Sequence, residues 1–323
     1  ESGEDINTSL DKFERSTEAT EAEEEGGTLG EIMSEIFNEV DGGKPIDKTL
    51  TGIPIVDECT NGLAKGELVT IGAKSGKGKS ALAIRMAVNM FRDDKKVLIV
   101  SREMSKKQIG ERILLAHSGV TKENYEKRTL SETDWVRIVE TTEAFNTDQI
   151  IIDDKIATIP EIKQAVRKHK PDMLIVDYVQ LLTPTNPRDS RERQVADMSR
   201  ELKKMTSDFD MIVVQLTQLA EKGIGNYRPH GESYPRESRA IYHDSNIVIY
   251  AHHVEEEKEI QIAYNSTAVK ERMSLHQFEE MLKRFDDNDT RLMELIVDKN
   301  RSGTVGSKFY WFSGPEMSYF PVL

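Results

Sequence analysis

The chain has 323 residues, 37% of them hydrophobic and 31% charged, which allows a sizeable core beneath a very polar surface. Net charge is −13, of which residues 1–48 carry −11, so the other 275 residues hold only −2. That balance argues against nucleic-acid binding over a broad basic face and leaves room for a narrow channel lined by a few Arg and Lys.

No apolar run approaches the roughly 18 residues of a membrane span, so no membrane partner is expected. One cysteine, Cys59, excludes a disulfide framework and a cysteine metal site within one chain. A reducing cytoplasm is the natural setting. The chain starts Glu-Ser-Gly with neither Met nor a signal peptide, which suggests a piece of something longer.

Residues 1–27 are acidic and rich in Ser, Thr and Glu, which predicts a disordered tail or linker. Over 28–41, Leu29, Ile32, Ile36 and Val40 recur at spacings of three and four, predicting a short amphipathic helix ended by Gly42-Gly43, with Pro45 beyond. A lone helix of this length is marginal in water and needs a partner, either its own domain or a neighbouring subunit. Residues 28–47 are thus a linker helix, and one domain follows over 48–323.

In that domain short apolar runs alternate with helical stretches. The runs are Leu68–Ile71, Val97–Val100, Ile150–Ile152, Met173–Val176, Met211–Leu216, Ile247–Tyr250 and Met293–Val297. Helices are expected near 79–92, 105–117, 159–169 and 190–208, the third opened by a Thr158/Glu161 capping box. The alternation predicts an α/β fold: a mainly parallel twisted sheet with helices on both faces and ligands beyond the carboxyl ends of its strands. Residues 252–290 are charged and helix-prone and read as an insertion.

The strongest motif is Gly72-Ala73-Lys74-Ser75-Gly76-Lys77-Gly78-Lys79-Ser80, between an apolar strand and a helix. Ala73 occupies the first position of the usual G-x-x-x-x-G-K-[ST] pattern, which here has the strand-to-helix context it requires. Ala73 to Ser80 would cradle the phosphates of a nucleoside triphosphate with backbone amides and the helix N-terminus. Lys79 would meet the γ-phosphate, and Ser80 would offer its hydroxyl to Mg²⁺. Asp177 ends the run Leu174-Ile175-Val176, as a Mg²⁺-orienting acid should. Glu103 follows the Val97–Val100 strand and suits a base that polarises the attacking water. Gln218 follows the Met211–Leu216 strand, where a neutral amide can sense the γ-phosphate or simply be solvated.

These motifs, in this order, resemble the RecA-like motor domain of DnaB-type hexameric replicative DNA helicases over residues 48–320. The resemblance rests on Gly52 to Gly66, the P-loop, Ser101-Arg102-Glu103-Met104, Asp177-Tyr178-Val179-Gln180-Leu181, Leu216-Thr217-Gln218-Leu219, Arg236-Glu237-Ser238 and Lys299-Asn300-Arg301-Ser302-Gly303. It implies a RecA-like ATPase that uses ATP and Mg²⁺, forms a ring, usually of six subunits, and translocates on single-stranded DNA. It also implies that Arg301, with Lys299 beside it, acts on the next subunit's nucleotide. Without the resemblance those two cations read as solvated charges. The helix at 28–41 looks like the family's linker helix, which docks on the adjacent subunit. Primase and a helicase loader are the implied partners, at the replisome of a bacterial or phage-infected cell. The family's N-terminal domain has no counterpart in this sequence, and residues 252–290 are longer than usual, which suggests a divergent or viral member.

Two segments suit a DNA path. Pro184–Arg193 carries Arg188, Arg191 and Arg193. Lys222–His243 begins just after Gln218, and there the resemblance marks Arg236, Glu237 and Ser238 as backbone-gripping positions. Contacts to phosphates would make binding sequence-independent and salt-sensitive. Tyr227 and Tyr234 suit either base stacking or packing. Competing readings are a RecA-like ATPase that forms recombination filaments and a nucleotide-switch scaffold without unwinding.

Overall fold

The computed structural model describes residues 27–43, 48–219, 228–230, 239–286, 290–314 and 317–322. The chain divides into two units, Glu1–Asp47 and Lys48–Leu323. The expected acidic tail lies outside the described residues, apart from Gly27. In the first unit, helix α1 (Leu29–Asp41) opens with a capping box. The Thr28 side chain accepts from the Glu31 amide, and the Glu31 carboxylate accepts from the Thr28 backbone. Leu29, Ile32, Met33, Ile36 and Val40 recur at helical spacing along it.

The second unit starts with a small ribbon, β1 (Lys48–Thr49) with β2 (Leu63–Ala64), flanking α2 (Pro54–Thr60). Its centre is a nine-stranded sheet. The strands are β3 (Leu68–Ala73), β4 (Val97–Ser101), β5 (Ile150–Asp153), β6 (Met173–Asp177), β7 (Ile212–Gln218), β8 (Ile247–His253), β9 (Thr290–Asn300), β10 (Gly306–Ser313) and β11 (Ser318–Pro321). Their spatial order is β11-β10-β9-β8-β3-β7-β6-β4-β5. Pairings from β8 to β5 are parallel, and those from β8 to β11 are antiparallel.

Helices α3 (Lys79–Arg92), α4 (Lys106–Ser118), α5 (Lys122–Lys127), α6 (Glu132–Ala144), α7 (Ile159–His169), α8 (Arg191–Asp208) and α9 (Arg239–Asp244) connect the parallel strands. Successive strand residues serve opposite faces. Val97 and Ile99 belong to the core cluster that holds the buried residues of α3 and α4, while Leu98 and Val100 belong to the one that holds those of α7 and α8. Both faces are therefore covered, which is why these strands are continuous apolar runs. The expected Thr158/Glu161 capping box is present.

Within residues 252–290, read from sequence as an insertion, lie α10 (Glu257–Ser266) and α11 (Leu275–Asp286), joined through a 3₁₀ turn at Ala268–Glu271. Phe278 is fully buried at the centre of a separate cluster with Val254, Ala263, Val269 and Leu292. Phe309 and Trp311 of β10 pack against this cluster, while Tyr310 and Phe312 point into the main core.

Candidate nucleotide-binding and catalytic site

The P-loop leaves the carboxyl end of β3 and enters α3. Lys77 N–H donates to the Lys74 carbonyl at 3.2 Å, closing the turn that Lys74, Ser75 and Gly76 span. Gly76 and Gly78 hold φ at +69° and +87°, in the left-handed region. Helices α4 to α8 each begin at a Ser or Thr whose side chain caps a first-turn amide. Helix α3 begins at Gly78 with no such cap, leaving its first-turn amides to bind an anion.

Gly78 is also held from behind. Its carbonyl accepts from the Tyr319 hydroxyl at 3.3 Å, and an added Cβ would lie 3.0 Å from that oxygen. Gly78→Ala is expected to cost about 1–2 kcal/mol, the penalty for a side chain in the left-handed region, and to weaken nucleotide binding. Thermal melting and titration with a fluorescent nucleotide analogue test this; an unchanged melting temperature would show that the loop relaxes freely.

Lys79 is 4% exposed. Its ammonium pairs with Glu103, lies 3.8 Å from Asp177 Oδ1 and sits 4.6 Å from the Tyr178 ring centroid. Sheet order explains the convergence. Ser101 at the end of β4 is in register with Asp177 at the end of β6, and the Arg102 amide donates to the Asp177 carbonyl at 2.7 Å. Glu103 therefore overhangs the same strand ends. Strand β7 lies between β3 and β6, and Gln218 is in register with Ala73, which sets it between the P-loop and Asp177. The Gln180 amide donates to Thr217 Oγ1 at 2.7 Å, tying the turn after β6 to the end of β7.

Asp177 is buried, and burial holds its carboxyl above the ordinary value against a hydrogen bond from Ser80 and the charge of Lys79. Its Oδ1 has no hydrogen-bond partner. A buried carboxylate oxygen without a hydrogen bond, beside a serine hydroxyl, is a hard-oxygen donor set, and it suits Mg²⁺, which takes few protein ligands and keeps phosphate and water oxygens. Among the described residues no group of three or more His, Cys, Asp or Glu forms a metal cage.

Two neighbours of the P-loop went unforeseen. Lys77 Nζ donates to His253 Nδ1 at 2.8 Å and pairs with Glu255. Burial, then the Lys77 charge, depresses His253 to about 4, so it stays neutral and can accept that bond. The signal lay in the strand pairing: β8 runs parallel to β3 and extends past it, so its end reaches the loop.

Lys299 and Arg301 are not part of this cluster. Lys299 pairs with Val248 and Asn300 with Ile247, at the amino end of β8. Through β8, Lys299 is level with Thr70 of β3 and Asn300 with Val69, and the Arg301 amide donates to the Asn246 carbonyl, so they lie toward the amino ends of the parallel strands, two strands from β3 and roughly 10–15 Å along it from the P-loop. There Lys299 donates to the carbonyls of Tyr242 and His243 at 2.7 and 3.1 Å, and Arg301 donates to the His243 carbonyl at 2.7 Å.

Of the residues expected on a DNA path, Arg188 is exposed on the turn after β6. Arg191 donates to the Gln180 carbonyl and to Gln194 at 3.2 Å. Arg193 lies 4.0 Å from both Asp189 and Asp197 and is 70% exposed. Arg236, Glu237, Ser238, Tyr227 and Tyr234 lie outside the described residues.

The DnaB-like helicase C terminal domain family matches residues 49–320. This chain belongs to that family. The replicative DNA helicase DnaB of Leifsonia xyli subsp. xyli is 30% identical over 254 residues, covering 73% of this chain and 54% of that protein. The DnaB of Helicobacter pylori is 26% identical over 290 residues, covering 84% of this chain and 59% of its own length. The chain thus spans a little over half the length of these curated relatives. One solved ATPase domain has the same fold, with a TM-score of 0.75 at 24% identity, covering 93% of this chain and 100% of that one. A DnaB-like replicative helicase described with its primase interactions gives 0.71 at 22% identity, covering 98% and 71%. The DnaB-like, RecA-type core accounts for the strand order and for where the P-loop leaves it.

Proposed function

We propose that this chain is the motor of an ATP-dependent replicative DNA helicase that moves on single-stranded DNA as a ring, usually of six subunits, and opens duplex at the fork. The observation that carries this reading is the meeting of Lys79, Glu103 and Asp177 at the carboxyl end of the parallel strands.

ATP would lie along the amides of residues 74–80. As the γ-phosphate arrives, Lys79 exchanges Glu103 for a phosphate oxygen. That frees the Glu103 carboxylate, 37% exposed, to orient water and take its proton. Ser80 and Asp177 would hold Mg²⁺, which when bound offsets charge on the β- and γ-phosphates. Gln218 would report the phosphate to the segment that follows β7.

Lys299 and Arg301 are too far from their own P-loop to reach it, which supports their acting on a neighbour's nucleotide. Arg188, Arg191 and Arg193, with Arg236, Glu237 and Ser238, would grip the DNA backbone. Helix α1 would cover its apolar stripe on the adjacent subunit. Primase and a helicase loader are the partners this reading predicts, at a cytoplasmic replisome.

The test is unwinding of a forked duplex with ATP and Mg²⁺, alongside hydrolysis with and without single-stranded DNA. Unwinding supports the whole reading. DNA-stimulated hydrolysis without unwinding supports the motor and points to a missing partner. Neither activity from a folded protein would sink the proposal.

A further inference from the structure

The chain leaves β7 at Gln218 and reaches α9 at Arg239, and residues 228–230 of this connection are described. Arg228 Nε donates to Glu294 Oε2 at 2.7 Å, and its Nη2 donates to Oε1 at 2.8 Å and to Ser307 Oγ at 3.1 Å. Glu294 lies on β9 and is 4% exposed. Pro229, next in the chain, is buried. Across from Glu294 on β8 stands His252, whose Nε2 lies 2.9 Å from Glu259 on α10. One polar seam therefore joins the β7–α9 connection, the antiparallel strands and the insertion.

We propose that Arg228 is a positioning residue: its fork on Glu294 pins the β7–α9 connection midway, so that both halves of the connection leave from a fixed point on the sheet. Two arguments carry this. A buried carboxylate needs a charged partner, and Arg228 meets both oxygens of Glu294 at once. The guanidinium also already gives Nε and Nη2 to protein oxygens, so a DNA phosphate could take only its Nη1 edge while the fork on Glu294 holds. Only a planar fork spans both carboxylate oxygens in this way, so lysine is a poor substitute. The inference rests on the reading of this connection as a strand-binding segment.

The test uses the full chain with Arg228→Lys, which keeps the charge and loses the fork, and Glu294→Gln, which keeps the shape and loses the charge. Trypsin cleavage after Lys222 is timed by mass spectrometry, and hydrolysis is titrated with oligothymidylate. In both variants cleavage should quicken roughly tenfold, and the DNA concentration for half-maximal stimulation should rise by a similar factor.

A direct phosphate contact predicts otherwise: Arg228→Lys stays near the parent, and Glu294→Gln binds DNA as well or better. That pattern, or unchanged cleavage in both variants, overturns the proposal. If Glu294→Gln fails to fold, Arg228→Lys decides alone, because the Arg228 side chain is 46% exposed and its loss leaves no hole. If the parent itself shows no DNA stimulation, the strand-binding reading fails, and the cleavage rates still decide the anchor.

Discussion

Lys79→Ala should lower ATP hydrolysis roughly a thousandfold, the scale of losing one preorganised charge at a developing anion. The change also acts on the fold. Without the ammonium, the Glu103 and Asp177 carboxylates face each other, and Asp177 is already held above its ordinary value, chiefly by burial. Asp177→Asn should be equally inactive, yet melt no lower than the parent at neutral pH. The sign follows from linkage. An acid whose folded pKa is raised takes its proton more readily when folded, so its ionisation works against folding. The advantage of Asn is therefore absent below the unfolded value, about 3.9, grows as pH rises through the folded value, and is full above it. Phosphate release and melting curves across this range test both variants. An Asp177→Asn protein that melts well below the parent at neutral pH would show that Asp177 stabilises the fold.

Arg301→Ala should lower hydrolysis by roughly 10³ and leave nucleotide binding intact. The fold should tolerate it, because Lys299 still caps the Tyr242 and His243 carbonyls at the end of α9. The decisive measurement is a mixture. An Arg301→Ala subunit has a sound P-loop, and a Lys79→Ala subunit has a sound Arg301. If the cation acts on a neighbour, an equal mixture restores roughly a quarter of the interfaces, the share in which the two sound halves meet head to tail. Activity in the mixture where neither protein alone has any supports action between subunits. A mixture as inactive as its parts, despite confirmed subunit exchange, refutes it.

Much of the core was legible because each strand is covered on both faces and each major helix carries its own stop and start signals. Thr158 with Glu161 marked α7 to the residue. The P-loop was legible because glycine is needed where φ is positive. Helices α5 and α6 were not foreseen. Trp135, Val136 and Val139 of α6 are more than half exposed, so its apolar residues do not mark a buried stripe. Its one clear signal was the Ser131/Asp134 capping box. Strand β10 was missed for the opposite reason. Phe309 and Trp311 meet the Phe278 cluster while Tyr310 and Phe312 meet the main core, which erases the alternation of a half-buried strand. The contacts of Lys77 with His253 and Glu255 span more than 170 residues and follow only from strand order.

The sheet holds its phosphate cradle beyond the carboxyl ends of its parallel strands and Lys299 and Arg301 toward their amino ends. On the proposed reading each copy gives from one end and receives at the other, so neighbours all face the same way. Such an assembly has a front and a back. On that reading a strand passing through it would meet the same sequence of surfaces in every subunit, and that polarity would give repeated hydrolysis a single direction in which to move DNA.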